Sequence, residues 1–413
     1  MAFSPERFGR EFKIMRDRKN SNNPLHYLDN AATTQVPDAV IEAMVTHETR
    51  CRANVKRGVH RLAEEANEAY EGAREGVARF LGGGLSDEVI FTSGATAGIN
   101  YIAQSYGQIL QPGDEILISM LEHHSNMIPW QMLKERHGIR LRYLPVTEKG
   151  ELDLYQLDNY VTTKTRLVAV THGSNVTGAI TDVSHIVDIA HEKGAKVLLD
   201  GAQTAPHGPL DLKALDADFY VLSGHKVYGP TGVGVLWGRM SLLESLPPAF
   251  GGGEMVNDVG LDNNTYAPPP HRFEAGTPPI TQAVGLGAAL NWLMDQDLQG
   301  MHEHLNRLTG RIMRGLEEMT SGSTSIRILG PPSGCNRLPL VSFAVKGMHP
   351  HDICQIMSDR YGVALRGGHH CAQPLHNHYG LDASTRVSLA GFNLQEDVDV
   401  FLKGLEGTIK MLG

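Results

Sequence analysis

The sequence predicts an α/β fold, with a large domain built on a mostly parallel sheet flanked by helices and a smaller α+β domain towards the C-terminus. Three observations carry that expectation. Short apolar runs of strand length alternate with helix-length amphipathic segments as far as Leu236. A second strand-rich section begins after about Ser325. The 413 residues are enough to bury a large core and to divide into more than one domain.

The strand candidates of the large domain are 88–91, 115–118, 141–144, 167–170, 197–199, 220–222 and 233–236. The segment 182–193 shows why the intervening stretches are read as helical. Val183, Ile186, Val187, Ile189 and Ala190 recur at helical spacing there, and Gly194 marks a stop. Such alternation builds parallel sheets covered on both faces, which bind ligands beyond the carboxyl ends of their strands. Residues 248–280 break the pattern. Gly251-Gly252-Gly253 and Pro268-Pro269-Pro270 predict an irregular excursion with a functional or intersubunit role. A helical pattern then runs from Ile280 to about Leu316. Next come a strand at 340–345, a helix at 350–361 and a final helix from about Leu394. The expected division is an N-terminal segment, 1–25, packing on the small domain; a large domain, 26–290; and a small domain, 291–413.

Composition excludes several classes. Hydrophobic residues make up 41% and charged residues 20%, an ordinary soluble balance with a net charge of -9. No apolar run reaches the roughly 18 residues of a membrane span, and the first residues lack the apolar core of a signal peptide. No basic, aromatic-interleaved patch suggests nucleic acid. Cys51, Cys335, Cys354 and Cys371 lack CxxC spacing, which favours a reduced, cytoplasmic setting over a disulfide framework.

The chemistry-bearing residues fall just after the apolar runs. Lys226, in Ser223-Gly224-His225-Lys226, places an amine after one run, and Asp200 places a carboxylate at the end of another. An amine that forms a Schiff base and a carboxylate that keeps a ring nitrogen protonated are what pyridoxal 5'-phosphate needs. Alone, Asp200 is more often a strand-end cap or turn residue, and Lys226 would usually be a solvated surface lysine. The segment 91–100 reads as a strand, a glycine turn and a helix start. Its free N–H groups suit a phosphate, with backbone donors at Ala95 and Thr96 and a hydroxyl on Thr96. His123 could lie flat on the ring, Gln203 could donate to the ring oxygen, and Ser223 and His225 could reach the phosphate. Asn175 follows the fourth run.

A second signal is Arg366-Gly367-Gly368-His369-His370-Cys371. A thiol beside cationic groups has an enlarged thiolate fraction. Arg386 suits bidentate recognition of a carboxylate, as an amino-acid substrate requires. His349-Pro350-His351, His369-His370 and His376-Asn377-His378 lack the spacing of common zinc sites, so no metal is expected.

These residues resemble the cysteine desulfurases of the class V aminotransferase superfamily, fold type I pyridoxal phosphate enzymes, and most closely the group II, SUF-type branch. The resemblance runs from Tyr27-Leu28-Asp29-Asn30 to Phe392-Asn393. It rests on Arg57-Gly58-Val59-His60, Glu122-His123-His124-Ser125-Asn126, Ser174-Asn175-Val176, Asp200-Gly201-Ala202-Gln203, Ser223-Gly224-His225-Lys226, Phe273-Glu274-Ala275-Gly276-Thr277-Pro278 and the Arg366 to Pro374 loop. It implies that Lys226 binds the cofactor covalently, Asp200 pairs with the pyridine nitrogen, His123 stacks on the ring and Gln203 touches the ring oxygen. It implies that Thr96, Ser223 and His225 hold the phosphate, and that Thr277 reaches the phosphate of a neighbouring subunit in a homodimer. Asn175 and Arg386 would bind the carboxylate of L-cysteine, beside Arg366. Cys371 would take the sulfur as a persulfide, releasing alanine and supplying iron-sulfur cluster assembly. Group II relatives usually carry Arg-Gly-Thr-Thr-Glu where this chain has Ser93-Gly94-Ala95-Thr96-Ala97. Ala95 thus lacks a phosphate-binding hydroxyl, and Ala97 a carboxylate near the dimer interface. His351 resembles the histidine by which some relatives engage a zinc-containing sulfur acceptor. A selenocysteine lyase on the same scaffold is the alternative activity. An aminotransferase and a non-catalytic scaffold are more distant ones.

Overall fold

The structure, a computed structural model, describes residues 3–19, 24–320 and 325–413. After a short first strand, β1 (His26–Tyr27), come β2 (Val89–Thr92), β3 (Glu115–Ser119), β4 (Arg140–Leu144), β5 (Thr165–Thr171), β6 (Lys196–Asp200), β7 (Phe219–Ser223) and β8 (Gly234–Gly238). They form one seven-stranded sheet in the order β2-β8-β7-β6-β5-β3-β4. The β4-β3-β5-β6-β7 pairs are parallel, and β8 alone runs against both its neighbours. The continuous apolar runs follow from coverage on both faces. Ile90, Ile116, Ile118, Leu198, Phe219, Val221 and Leu236 pack on one side. Their neighbours Val89, Phe91, Leu117, Val197, Leu199, Tyr220, Leu222 and Val235 pack on the other. The edge strand β4 exposes Arg140 and Tyr143.

The helix expected at 182–193 spans Val183–Glu192, with Asp182 accepting the His185 N–H at 3.3 Å as its cap. Two expectations need correction. The excursion at 248–280 contains an antiparallel hairpin, β9 (Val256–Val259) with β10 (Asn264–Tyr266). It carries almost no core, with Leu261 fully exposed at its tip. The single helix expected from Ile280 is two, Ile280–Met294 and Leu298–Thr320. Asp297 Oδ1 accepts the Gly300 N–H at 3.0 Å and starts the second helix afresh, which apolar periodicity alone does not reveal.

The second sheet comprises β11 (Ile326–Leu329), β12 (Leu340–Val345), β14 (Arg366–Gly368) and β15 (Ser384–Ser388), antiparallel in the order β11-β12-β15-β14; β13 (Val363–Ala364) pairs with β1 instead. The helices Pro350–Tyr361 and Gln395–Leu412 pack together beside it. Near the N-terminus, Phe8 and Phe12 wedge between Tyr228, Trp292 and Phe392. Among the described residues no helix is long and apolar enough to cross a membrane.

Candidate active site

The strands β2, β3, β5, β6 and β7 end at one edge of the large sheet, and β8 begins there. Beyond that edge lies a cavity of about 240 Å³. Ala95, Thr96, His123, Asn175, Asp200, Gln203, Ser223, His225, Lys226, Arg366, Cys371 and Arg386 all line it. Thr277 does not line the cavity of its own chain. Among the described residues no group of three or more His, Cys, Asp or Glu side chains is arranged to hold a metal ion.

Lys226 closes the short turn after β7. Burial pushes its amine down to about 8, partly offset by the charge of Asp200. Asp200, the last residue of β6, is buried, and its Oδ1 accepts the Ala202 N–H at 3.0 Å. Burial raises its carboxyl above the usual range, opposed by that hydrogen bond and by Lys226. A side chain at Gly201 would collide with the Tyr220 phenol, so the turn after Asp200 requires glycine.

His123 Nδ1 accepts the Ser125 N–H at 3.1 Å and lies 2.8 Å from Ser125 Oγ. Those contacts leave the proton of a neutral ring on Nε2. Burial, then the charge of Lys226, holds the ring neutral, its pKa down to about 3. Beneath it, buried Glu122 accepts from Ser119 Oγ, from the Thr171 N–H at 2.9 Å and from Asn126 Nδ2 at 2.6 Å. These bonds fix the backbone that presents His123.

At the β2 end, Gly94 adopts φ +143° and caps the helix Ala95–Gly107. The Ala95 N–H donates to Ser223 Oγ at 2.9 Å, joining the helix start to the Lys226 turn. Gln203 Nε2 donates one hydrogen to the Ala31 carbonyl at 2.9 Å and keeps a second. The segment leading to Thr277 hangs on buried Glu274. That carboxylate accepts from Arg74 Nη1 at 2.7 Å and Nη2 at 3.0 Å, Lys56 Nζ at 3.3 Å, Tyr70 Oη at 3.2 Å and the Phe91 N–H at 3.0 Å. Burial opposes its ionisation, but Arg74 wins and holds the carboxyl below its usual range.

The opposite wall comes from the second sheet. Arg366 of β14 lies directly across from Arg386 of β15. Arg386 is buried; Nη1 donates to the Asn175 carbonyl at 2.9 Å, Nη2 lies 3.4 Å from Asp29 Oδ1, and Nε has no partner among the described residues. Arg366 Nη1 is 3.8 Å from Asp29 Oδ2. Cys371 is exposed, on a loop where His370 (φ +51°) and Cys371 (φ +55°) are both left-handed. Each such residue costs roughly 1–3 kcal/mol. Hydrogen bonds offset that cost at about 1 kcal/mol each. Asn175 Nδ2 donates to the His370 carbonyl at 2.7 Å, and the His124 N–H to the Cys371 carbonyl at 2.7 Å. The Gln373 N–H donates to His124 Nε2 at 3.1 Å. Sequence reasoning missed His124, Asp29 and the buried His370, Ser384 and His376. Asp29 and His124 stood in segments that carry the family resemblance but were given no role, and His370 and His376 read only as a weak metal signal.

The donor set fits pyridoxal 5'-phosphate. A desolvated amine, a buried carboxylate on the adjacent strand, a helix N-terminus with a serine hydroxyl and a neutral imidazole all face one cavity. The comparisons agree. The family model Aminotransferase class-V matches residues 26–401. A probable cysteine desulfurase of Streptomyces coelicolor is 44% identical, over 99% of this chain and 98% of its own. A cysteine desulfurase of Serratia proteamaculans is 41% identical over the full length of both. The structure of the cysteine desulfurase CsdA from Escherichia coli, in an S-sulfonic acid form, superposes with a TM-score of 0.91 at 36% identity, covering both chains fully. The apo cysteine desulfurase of Thermococcus onnurineus gives 0.93 at 36% identity, again over both whole chains. The chain belongs to the class-V aminotransferase family, whose members are pyridoxal phosphate enzymes.

Proposed function

We propose that this protein is a cysteine desulfurase: it converts L-cysteine to L-alanine, holds the sulfur on Cys371 as a persulfide, and passes it to an acceptor protein for iron-sulfur cluster assembly. The observation that carries the reading is that Lys226 and Cys371 line one small cavity with two arginines in its wall. When bound, pyridoxal phosphate supplies an aldehyde for covalent linkage and a ring that accepts the electron pair left at the substrate Cα. Lys226 holds it, and the freed amine takes the Cα proton on Nζ. An amine near pKa 8 is suited to that exchange at neutral pH. Asp200 pairs with the ring nitrogen. His123 would lie on the ring, Gln203 would donate its second hydrogen to the ring oxygen, and Thr96, Ser223 and His225 would hold the phosphate, with Ala95 joining once its N–H turns from Ser223 Oγ. Thr277 serves the site of the second subunit in a homodimer. Arg386, Arg366 and Asn175 bind the substrate carboxylate. The Cys371 thiolate attacks the substrate sulfur. The carbon–sulfur bond breaks with its electron pair left on Cβ, which takes a proton and becomes the alanine methyl group, and Nζ of Lys226 returns a proton to Cα before alanine leaves.

The Arg366 to Cys371 loop supports the group II, SUF-type branch, with residues 26–290 as the cofactor domain and 291–413 carrying the cysteine loop. The unbridged Cys51, Cys335, Cys354 and Cys371 suit a reducing cytoplasm. His351 is exposed, with Nε2 3.2 Å from the Gly367 carbonyl on the strand of Arg366. That position suits contact with a zinc-containing acceptor, and acceptor-stimulated turnover unchanged in His351→Ala would exclude it.

The test of the main reading is incubation of the cofactor-loaded protein with L-cysteine, followed by intact and peptide mass. One added sulfur on the Cys371 peptide, with alanine released, is the expected result. No sulfur on Cys371 would end the reading. Selenocysteine lyase activity is separated by Cys371→Ala. Loss of cysteine turnover with selenocysteine turnover intact shows that the thiol is needed for sulfur alone.

A further inference from the structure

We infer that Ser384 and His376 are positioning residues for sulfur transfer, acting through His370 to lock the left-handed loop that presents Cys371. The inference rests on the desulfurase reading above.

The three side chains are buried and touch in series. His376 Nδ1 is 3.0 Å from the Ala372 carbonyl. A carbonyl only accepts, so Nδ1 carries the proton. Burial disfavours a charged imidazole, so Nε2 is a lone pair, and it lies 2.9 Å from Ser384 Oγ. The serine hydroxyl therefore donates to His376. Its oxygen then accepts from His370 Nε2 at 3.0 Å. One proton order satisfies every contact, and it fixes the His370 tautomer with the lone pair on Nδ1, an atom without a partner among the described residues.

This chain encloses the reactive residue. His370 precedes Cys371, and Ala372, whose carbonyl ends the chain, follows it. Asn175 and His124 hold the backbone carbonyls of His370 and Cys371 from the large domain. The Ser384 chain holds the His370 side chain and the Ala372 carbonyl from the small one. Ser384 also sits opposite Gly368 at the end of the β14–β15 ladder that sets Arg366 across from Arg386. The backbone of Ser384 thus belongs to the carboxylate grip, whereas its hydroxyl, which substitution by alanine removes, belongs to the thiol loop.

The loop and the amine act at different moments. Cα proton removal needs Lys226 and the arginines, whereas sulfur capture needs Cys371 in place. Breaking the chain should spare the first and slow the second. The test uses the cofactor-loaded full chain in wild-type, Ser384→Ala, Ser384→Thr and His376→Asn forms. His376→Asn keeps a donor near the Nδ1 position and loses the Nε2 acceptor. Three readouts are followed: exchange of the Cα hydrogen of L-cysteine with solvent deuterium, single-turnover persulfide on Cys371 by mass, and amide hydrogen exchange of the peptide around Cys371. Ser384→Ala and His376→Asn should form persulfide about tenfold more slowly, the effect of about one lost buried hydrogen bond. Cα exchange and KM should stay within about twofold on the same arithmetic. Amide exchange of the loop should quicken, and Ser384→Thr should recover most of the persulfide rate. Persulfide formation in Ser384→Ala within twofold of wild type overturns the inference. So does a parallel loss of Cα exchange and persulfide with Ser384→Thr no better than Ser384→Ala, which assigns Ser384 to packing. A wild-type protein that forms no persulfide on Cys371 instead overturns the desulfurase reading itself, and the inference with it.

Discussion

The amine of Lys226 should react as a neutral nucleophile near physiological pH, and the size of that effect follows from its surroundings. Burial is the leading cause of its fall from 10.5 to about 8; Asp200 opposes the fall, and Arg386 adds to it. At pH 7.4 an amine of pKa 8 is about one-fifth neutral, against about one in a thousand at 10.5, a gain of roughly 200-fold. The perturbation is pH, applied to the cofactor-free protein with isotopic formaldehyde and a mild hydride donor. Methylation of each lysine peptide is then read by mass. The Lys226 peptide should reach half its limiting rate near pH 8, with surface lysines some two units higher. The sign of the linkage follows. The unfolded lysine binds a proton up to 10.5 and the folded one only to about 8, so this residue's penalty on stability is full below pH 8. It shrinks as pH rises from 8 to 10.5. The penalty amounts to about 3 kcal/mol. A Lys226 midpoint near 10 would show that the amine is solvated and would refute the argument.

Three further outcomes are expected. Arg386→Ala should raise KM for L-cysteine by about 10- to 100-fold, the scale of a lost charge-assisted pair, with a smaller change in kcat; steady-state kinetics decides it. Glu274→Gln should lower stability by roughly 1–3 kcal/mol, because Lys56 and Arg74 lose their buried anion while Arg74 keeps only Glu71 at 2.8 Å, seen as an earlier urea midpoint. Gly201→Ala should release the cofactor or prevent folding, since the added methyl group occupies the place of the Tyr220 phenol; retained cofactor absorbance with wild-type stability would contradict that packing.

The sheet was legible because both its faces are covered, so each strand reads as an unbroken apolar run. Lys226, Asp200 and His123 were legible because they follow such runs, where a parallel sheet gathers its ligands. The break at 295–297 was not, since Asp297 restarts a helix through a cap while the apolar period carries on. Nor was the Ser384 chain. His370, His376 and Ser384 are joined by a loop, a helical turn and a strand register, three relations that no single periodicity encodes. Asp29 was hidden for a similar reason. It reaches Arg386 from 357 residues away, brought there by the pairing of Tyr27 with Ala364 and of Asp29 with Ser388 at the end of β15.

That pairing bears on why an amino acid binds at all. Two arginines directly opposite each other on adjacent strands repel. Here they face each other at the end of a four-stranded sheet, where the β14–β15 pairing fixes them. Asp29 relieves the repulsion incompletely, at 3.4 Å from one guanidinium and 3.8 Å from the other, while Nε of Arg386 has no partner among the described residues. The protein therefore holds a cationic corner one anion short, in a cavity of about 240 Å³ that it shares with the amine of Lys226. A carboxylate alone would satisfy the corner. On the proposed reading an α-amino acid would do more, because a carboxylate held at Arg386 would keep the attached Cα in the cavity that Lys226 lines. Its side chain would then share the cavity with Cys371. On that reading, selection for a short thiol-bearing side chain would come from where the cysteine loop is held, and recognition of the backbone from a charge imbalance built into the sheet.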